Sequence, residues 1–162
     1  MNARRFILSF AAVMNLLLVD QLVKAAAVYY LKDSPPVTVL PDLFRLAYVE
    51  NRGAAWGLFQ GHVWPLALFS ILALAFLIWR RREVFMPGWS GAVCECLLYA
   101  GILGNMIDRL TRGCVVDLFD FHWGVHHFPC FNVADAYITL SVGLLLLAGF
   151  FRKDEGASRD PA

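Results

Sequence analysis

Apolar residues gather in four blocks along the chain: Phe6 to about Leu31, Val63 to Trp79, about Trp89 to Ile107, and Ala136 to Phe151. A helix needs about 20 mostly apolar residues to cross a bilayer, so each block predicts a membrane-spanning helix. The second and fourth are short and need a tilt or interfacial residues to complete their spans. The first block also fits a cleaved secretory signal, with Arg4 and Arg5 as the basic region, Phe6–Val19 as the apolar region and Ala25–Ala27 as the small-residue site. Against that reading, Tyr29, Tyr30 and Leu31 carry the helix far enough to span, and its removal would leave an odd number of crossings. The block is read as a helix. The expected fold is an all-α bundle of four transmembrane helices in one domain, residues 1–162.

Between the blocks the period changes. Val37–Leu40 and Phe44–Val49 are rich in β-formers, and Phe44, Leu46 and Tyr48 alternate against Arg45 and Ala47. Pro35, Pro36, Pro41 and Asp42 mark turns around the first run. These runs predict a small sheet on the outer membrane surface. Val115–Phe119 is a further strand-like run, while Leu118–Phe131, dense in Phe and His and holding Trp123, reads as an interfacial segment. Asp154–Ala162 reads as a flexible tail.

Composition sharpens the class. Of the 162 residues, 59% are hydrophobic and 17% charged, against roughly 45–50% and about 25% in soluble domains. With 14 Lys and Arg against 13 Asp and Glu the net charge is +1, which excludes a nucleic-acid-binding chain. Arg4 and Arg5, Arg80–Arg82, and Arg152 with Lys153 fall on one side of a four-crossing chain, so both termini are expected in the cytoplasm. Arg45, Arg52, Arg109 and Arg112 fall on the other side, among carboxylates. Cys94 and Cys96 lie in an apolar block and are expected to face the membrane. Cys114 and Cys130 lie in polar connections and could pair if that side is oxidising.

A charge at membrane depth costs roughly 2.5–3.5 kcal/mol, so each one needs a reason. Asp20 and Lys24, four apart, share a helix face and can pair; an anchoring ion pair is the plain reading. Glu95 can snorkel or pair with an arginine. Gly101 and Gly104 permit close helix packing, and Asn105, Asp108 and Arg109 then put an amide, a carboxylate and a guanidinium within one turn. Asp117 sits in an otherwise apolar strand-like run, either on a wet face or desolvated with a raised pKa. Asn132 and Asp135 have the spacing of a capping box, a role compatible with a catalytic one.

Two carboxylates in a partly dry site can share one proton, one acting as base and the other as acid. Asp117 and Asp135, 18 residues apart and both at the outer boundary, can be brought together by a loop. The spacing permits such a pair without requiring it. Asp120 would perturb that pair if it points inward. Other chemistries fit less well: there is no phosphate loop, no Gly-x-Ser-x-Gly and no His-Glu-x-x-His, and His122, His126 and His127 lack a surrounding ligand motif, so no metal and no cofactor are expected. A small transporter would keep its polar residues near mid-bilayer, often in repeats, and neither is seen.

Five segments together resemble one family. Asp20-Gln21-x-x-Lys24, Asn51-Arg52-Gly53-Ala54-Ala55-Trp56-Gly57, Gly101-x-x-Gly104-Asn105-x-x-Asp108-Arg109, Val115-Val116-Asp117 and Phe131-Asn132-Val133-Ala134-Asp135 are similar, in this order, to the motifs of the lipoprotein signal peptidases (signal peptidase II), aspartyl proteases of the bacterial cytoplasmic membrane. The resemblance covers about Phe6 to Phe151. It implies that Asp117 and Asp135 are the catalytic dyad. It also implies that Asn51, Gly53, Asn105, Asp108, Arg109 and Asn132 bind substrate or brace the site, and that Asp20 and Lys24 are structural support. The implied substrate is a prolipoprotein whose cysteine carries a diacylglyceryl group, cut on the amino side of that cysteine by a monomeric, multi-pass inner-membrane enzyme with its site on the extracytoplasmic face. Ala100 and Trp56 stand where the family typically has Gly and Phe, mild departures that could alter packing or substrate fit.

Overall fold

A computed structural model describes residues 3–54, 58–124 and 126–157, with residues 151–157 described by backbone alone. Helices α1 (Ala3–Leu31), α2 (Val63–Trp79), α4 (Trp89–Arg112) and α5 (Val133–Ala157) form the bundle, and the single turn α3 (Arg81–Val84) joins α2 to α4. Of these, α1, α4 and the Val133–Phe150 part of α5 are long and apolar enough to cross a membrane, whereas α2 is equally apolar but only 17 residues long. The segments expected for Trp56 and for residues 158–162 lie outside the described residues.

The packing is inverted relative to a soluble protein. Phe6, Ile7, Leu8 and Phe10 of α1 and Leu146, Leu147 and Phe150 of α5 point outward, while Asp20, Lys24 and Asp108 are fully buried. Apolar atoms face where lipid would be, and the costly polar atoms are paired inside. The central element is α4, packed against α1, α2 and α5. Small residues let it sit there. A Cβ on Gly101 would come within 2.6 Å of the Ala134 carbonyl oxygen and 2.7 Å of Ile138, and one on Gly104 would overlap the Asp20 carboxylate. Towards the start of α4, Phe85, Cys94 and Leu98 form a core with Leu77, Tyr99 and Leu145.

Several details depart from the sequence expectation. Cys94 and Cys96 face the bundle interior rather than the membrane, at 1% and 8% exposure, because α4 is enclosed by its neighbours and its small faces are the ones that pack. The helix also runs past Ile107 to Arg112, where Gly113 ends it with a left-handed φ of 69°. Helix α5 starts at Val133 and continues to Ala157, so residues 154–157 are helical rather than tail. All four cysteines are free.

The connections build one antiparallel sheet in the order β1 (Val37–Leu40), β2 (Phe44–Asn51), β3 (Val115–Trp123) and β4 (His126–His127). Strand β3 is longer than the run seen in sequence, and the segment read as interfacial is a hairpin turning at Gly124, φ 58°. Leu46 and Tyr48 do share a side, packing on Ala27, Leu31, Val116 and Leu118, which joins the sheet to α1. Val49 faces Asp117 and Asn51 faces Val115 in the β2–β3 register, with an irregularity between Leu46 and Val49.

Candidate active site

Two elements deliver the two carboxylates. Asp117 is the third residue of β3 and Asp135 the third residue of α5. Asn132 and Asp135 close a capping box at the head of α5: the Asp135 N–H donates to Asn132 Oδ1 at 3.0 Å, and the Asn132 N–H donates to Asp135 Oδ2 at 3.2 Å. The cap amide is then free to turn its nitrogen to the sheet. Asn132 Nδ2 donates to Asp117 Oδ1 at 2.7 Å, so a single side chain holds one aspartate and caps the helix of the other.

Two further amides complete the ring. Asn51 Nδ2 donates to Asp117 Oδ2 at 3.0 Å, while its Oδ1 accepts the Gly53 N–H at 2.9 Å. Asn105 Nδ2 donates to Asp135 Oδ1 at 2.7 Å, and its Oδ1 accepts from Asn132 Nδ2 at 3.2 Å. Arg109 reaches the Gly53 carbonyl at 3.1 Å, tying the loop after β2 to α4. Burial and the nearby charge of Asp135 push the Asp117 carboxyl up to about 7, against the opposing hydrogen bonds from Asn51 and Asn132 and the charge of Lys24.

Both aspartates line one open cavity of about 1110 Å³, together with Asn51, Asn105 and Arg109. Its α5 side is mainly apolar, formed by Ala136, Ile138, Thr139 and Leu140, and its sheet side carries Asp120, His127 and Phe128–Phe131. Gly53, Asp108 and Asn132, expected as substrate contacts, stand behind this wall. Asp108 is fully buried and spends its oxygens on Lys24, Arg112 and the Val116 N–H. Asn132 is equally buried, its amide committed to the two aspartates and Asn105.

Comparison with known proteins decides what this arrangement is. The signal peptidase (SPase) II family model matches residues 12–151. The chain belongs to the signal peptidase II family. It is 41% identical over 133 residues to the lipoprotein signal peptidase of Syntrophotalea carbinolica, covering 80% of this chain and 83% of that one. It is 37% identical over 142 residues to that of Lactiplantibacillus plantarum, covering 86% and 91%. A bacterial membrane enzyme solved by the in meso method at 2.3 Å resolution superposes with a TM-score of 0.80 at 29% identity, over 95% of this chain and 93% of that one. Membership makes the chain a membrane protease of the aspartic type.

The sheet-side wall of this signal peptidase was not legible from the sequence. Asp120 does point to the cavity, but it is paired with Arg45 across the β2–β3 register and with His127 at 3.1 Å. Burial alone would raise its carboxyl; those two hydrogen bonds outweigh it and hold the group below the usual carboxylate range. His122 stacks on His127 at 5.3 Å between ring centres. Among the described residues no group of three His, Cys, Asp or Glu side chains is placed to hold a metal ion. The Cys130 thiol lines the cavity, and burial with the charges of Asp117 and Asp120 pushes it up to about 12, leaving it a poor nucleophile at neutral pH. Spacing could not have found this wall, because strict strand alternation puts Asp117 and Asp120, three residues apart, on opposite faces.

Proposed function

We propose that this signal peptidase removes the signal peptide from diacylglyceryl-modified prolipoproteins, with Asp117 and Asp135 as its catalytic dyad. The observation that carries the reading is the meeting of two buried carboxyls across Asn132 at the wall of a cavity whose α5 side continues as an apolar face beyond Asp135. The apolar side suits a lipidated substrate, and the amide-lined side suits an extended peptide whose polar groups need partners at the membrane boundary.

Burial and the charge of Asp135 raise the Asp117 carboxyl to about 7, which suits Asp117 to the acid's role in a pair that shares one proton, and Asp135 to the base's. Asp135 takes a proton from water as the oxygen bonds to the scissile carbonyl carbon. Asp117 gives its proton to the departing amine nitrogen as the C–N bond breaks. Transfer of the proton from Asp135 to Asp117 then resets the pair. Asn51, Asn105 and Arg109, on the cavity wall, hold the peptide, while Gly53, Asp108 and Asn132 brace these groups from behind.

All four long helices cross the membrane, with both termini cytoplasmic and the sheet and dyad on the extracytoplasmic side. Arg5 donates to the Gly88 carbonyl at 2.7 Å, so the start of α1 and the Arg80–Arg82 connection share one end. The exposed Trp64 and Trp79 at the two ends of α2 suit interfacial anchors that complete its short span. The enzyme works as a monomer in the inner membrane, since one chain holds every part invoked.

The test is cleavage of a lipidated precursor by detergent-solubilised protein. Cleavage is expected with and without a chelator, absent for Asp117→Asn and Asp135→Asn, and absent for the unlipidated precursor. Full activity of either folded Asn variant would remove that residue from the mechanism.

A further inference from the structure

Lys24 has three ammonium hydrogens and, with no exposed surface, three acceptors: Asp20 Oδ2 at 3.0 Å, Asp108 Oδ2 at 3.1 Å and Asn105 Oδ1 at 2.9 Å. Each partner leads onward to the dyad. Asp20 Oδ1 accepts the Ala134 N–H at 2.9 Å, and Ala134 immediately precedes Asp135. Asp108 Oδ2 accepts the Val116 N–H at 3.1 Å, and Val116 immediately precedes Asp117. Asn105, the third partner, donates to the Asp135 carboxyl itself.

We propose that Lys24 is the positioning residue of the dyad: its ammonium group fixes, through Asp20 and Asp108, the backbone that carries each aspartate and, through Asn105, the orientation of an amide that touches one of them. The proposal rests on Asp117 and Asp135 being the reacting pair.

Two arguments set this apart from simple anchoring of α1. A buried ion cluster roughly breaks even against well-packed apolar side chains, so holding α1 in the bundle does not call for one. Apolar side chains could not hold two backbone N–H groups from separate elements on one centre. The second argument is the direction of the Asn105 amide. Rotated by half a turn, its nitrogen would face the donors of Lys24 and Asn132, and its oxygen would face the Asp135 carboxylate. A lysine ammonium is a donor only, so it permits one of the two orientations. Arg112, paired with Asp108, completes the charge balance of two cations and two carboxylates.

The experiment uses the full chain in detergent and the lipidated precursor. Lys24→Met combined with Asp20→Asn removes the hub while keeping the local charge balanced and leaving an amide oxygen for the Ala134 N–H. The expected result is a cooperatively melting protein whose kcat falls about 100-fold, the scale of a displacement near 1 Å at reacting groups, with a far smaller change in KM, because Asn51 and Arg109 still hold the peptide. The alkaline limb of its pH–rate profile is expected at higher pH, because the Lys24 charge that lowers the Asp117 proton affinity is gone. A folded double variant with parental kcat and an unmoved limb overturns the proposal. If the double variant does not fold, Lys24→Arg decides. It keeps the charge, but a planar fork cannot serve three acceptors arranged around one nitrogen, so lowered kcat with the limb in place is expected and parental kcat overturns the proposal. Parent protein and Asp117→Asn run alongside: an inactive parent sinks the proposed function, whereas an active parent, a dead Asp117→Asn and parental Lys24 variants sink the hub alone.

Discussion

Replacing Asp117 with Asn makes a prediction about stability that depends on pH. In the folded chain the Asp117 carboxyl lies at about 7, against an ordinary value of 3.8. A raised carboxyl favours the folded state at low pH, where it is protonated in both states. That advantage is lost as pH rises from about 4 through 7, since the unfolded chain releases its proton first. At 1.36 kcal/mol for each tenfold change in proton affinity, the penalty carried by the parent at pH 8 is about 4 kcal/mol. An asparagine never ionises and escapes it. Its own cost comes from geometry. Asn51 and Asn132 both present Nδ2 donors, one to each oxygen of residue 117, so the new NH2 group must meet one of them, at about 1–3 kcal/mol. Asn51 cannot turn to accept without releasing the Gly53 N–H. Asp117→Asn is therefore expected to melt above the parent at pH 8, by the equivalent of about 1–3 kcal/mol, and close to it at pH 5, where the parent carries only about 2 kcal/mol of the penalty and the hydrogen-bond cost offsets it. Intrinsic fluorescence of the five tryptophans follows both transitions in detergent. A melting difference that does not change between pH 5 and pH 8 would refute a desolvated, charge-raised Asp117.

Two further outcomes follow from the same geometry. If Asp117 supplies the proton for the leaving amine, kcat/KM falls as pH rises through about 7, and a flat profile from pH 6 to pH 8 under rate-limiting chemistry would assign the proton elsewhere. Gly104→Ala places a methyl group against the Asp20 carboxylate, so it should cost about 1–3 kcal/mol of stability and lower kcat together, because Asp20 also grips Ala134; melting and turnover of the purified variant measure both.

What could be read along the chain, and what could not, divides by distance. The apolar blocks locate all four long helices because burial in lipid demands continuous apolar runs. The Asn132–Asp135 capping box is legible because it closes within three residues and its geometry belongs to the helix end itself. Asp20 and Lys24 are visible as an i,i+4 pair for the same reason. Their further partners, Asp108 and Asn105, lie more than 80 residues away, and a local pattern carries no sign of them. Cys94 and Cys96 fail differently: α4 turns polar residues such as Glu95, Asn105 and Asp108 inward, so polarity does not mark its outside, and which side packs is decided by the other helices. The hairpin of β3 and β4 hides because Phe, His and Trp suit both a membrane interface and a strand.

The cost of charge in lipid also explains why so much of the site is legible at all. Apolar surroundings cannot solvate Asp20, Lys24 or Asp108, so each must find its complement inside the protein. Among the described residues no buried side-chain nitrogen or oxygen is left without a partner. In such a closed network one orientation of one amide constrains the next, from Lys24 through Asn105 and Asn132 to both aspartates. A preorganised pair of carboxyls needs that rigidity, because its two members must stay close enough for the charge of one to govern the proton of the other. The membrane therefore does more than hold the substrate. By making every unpaired polar atom expensive, it favours an arrangement in which Asp117 and Asp135 are held fast, and, if they are the reacting pair, a variant that loosens the network should lose turnover before it loses its fold.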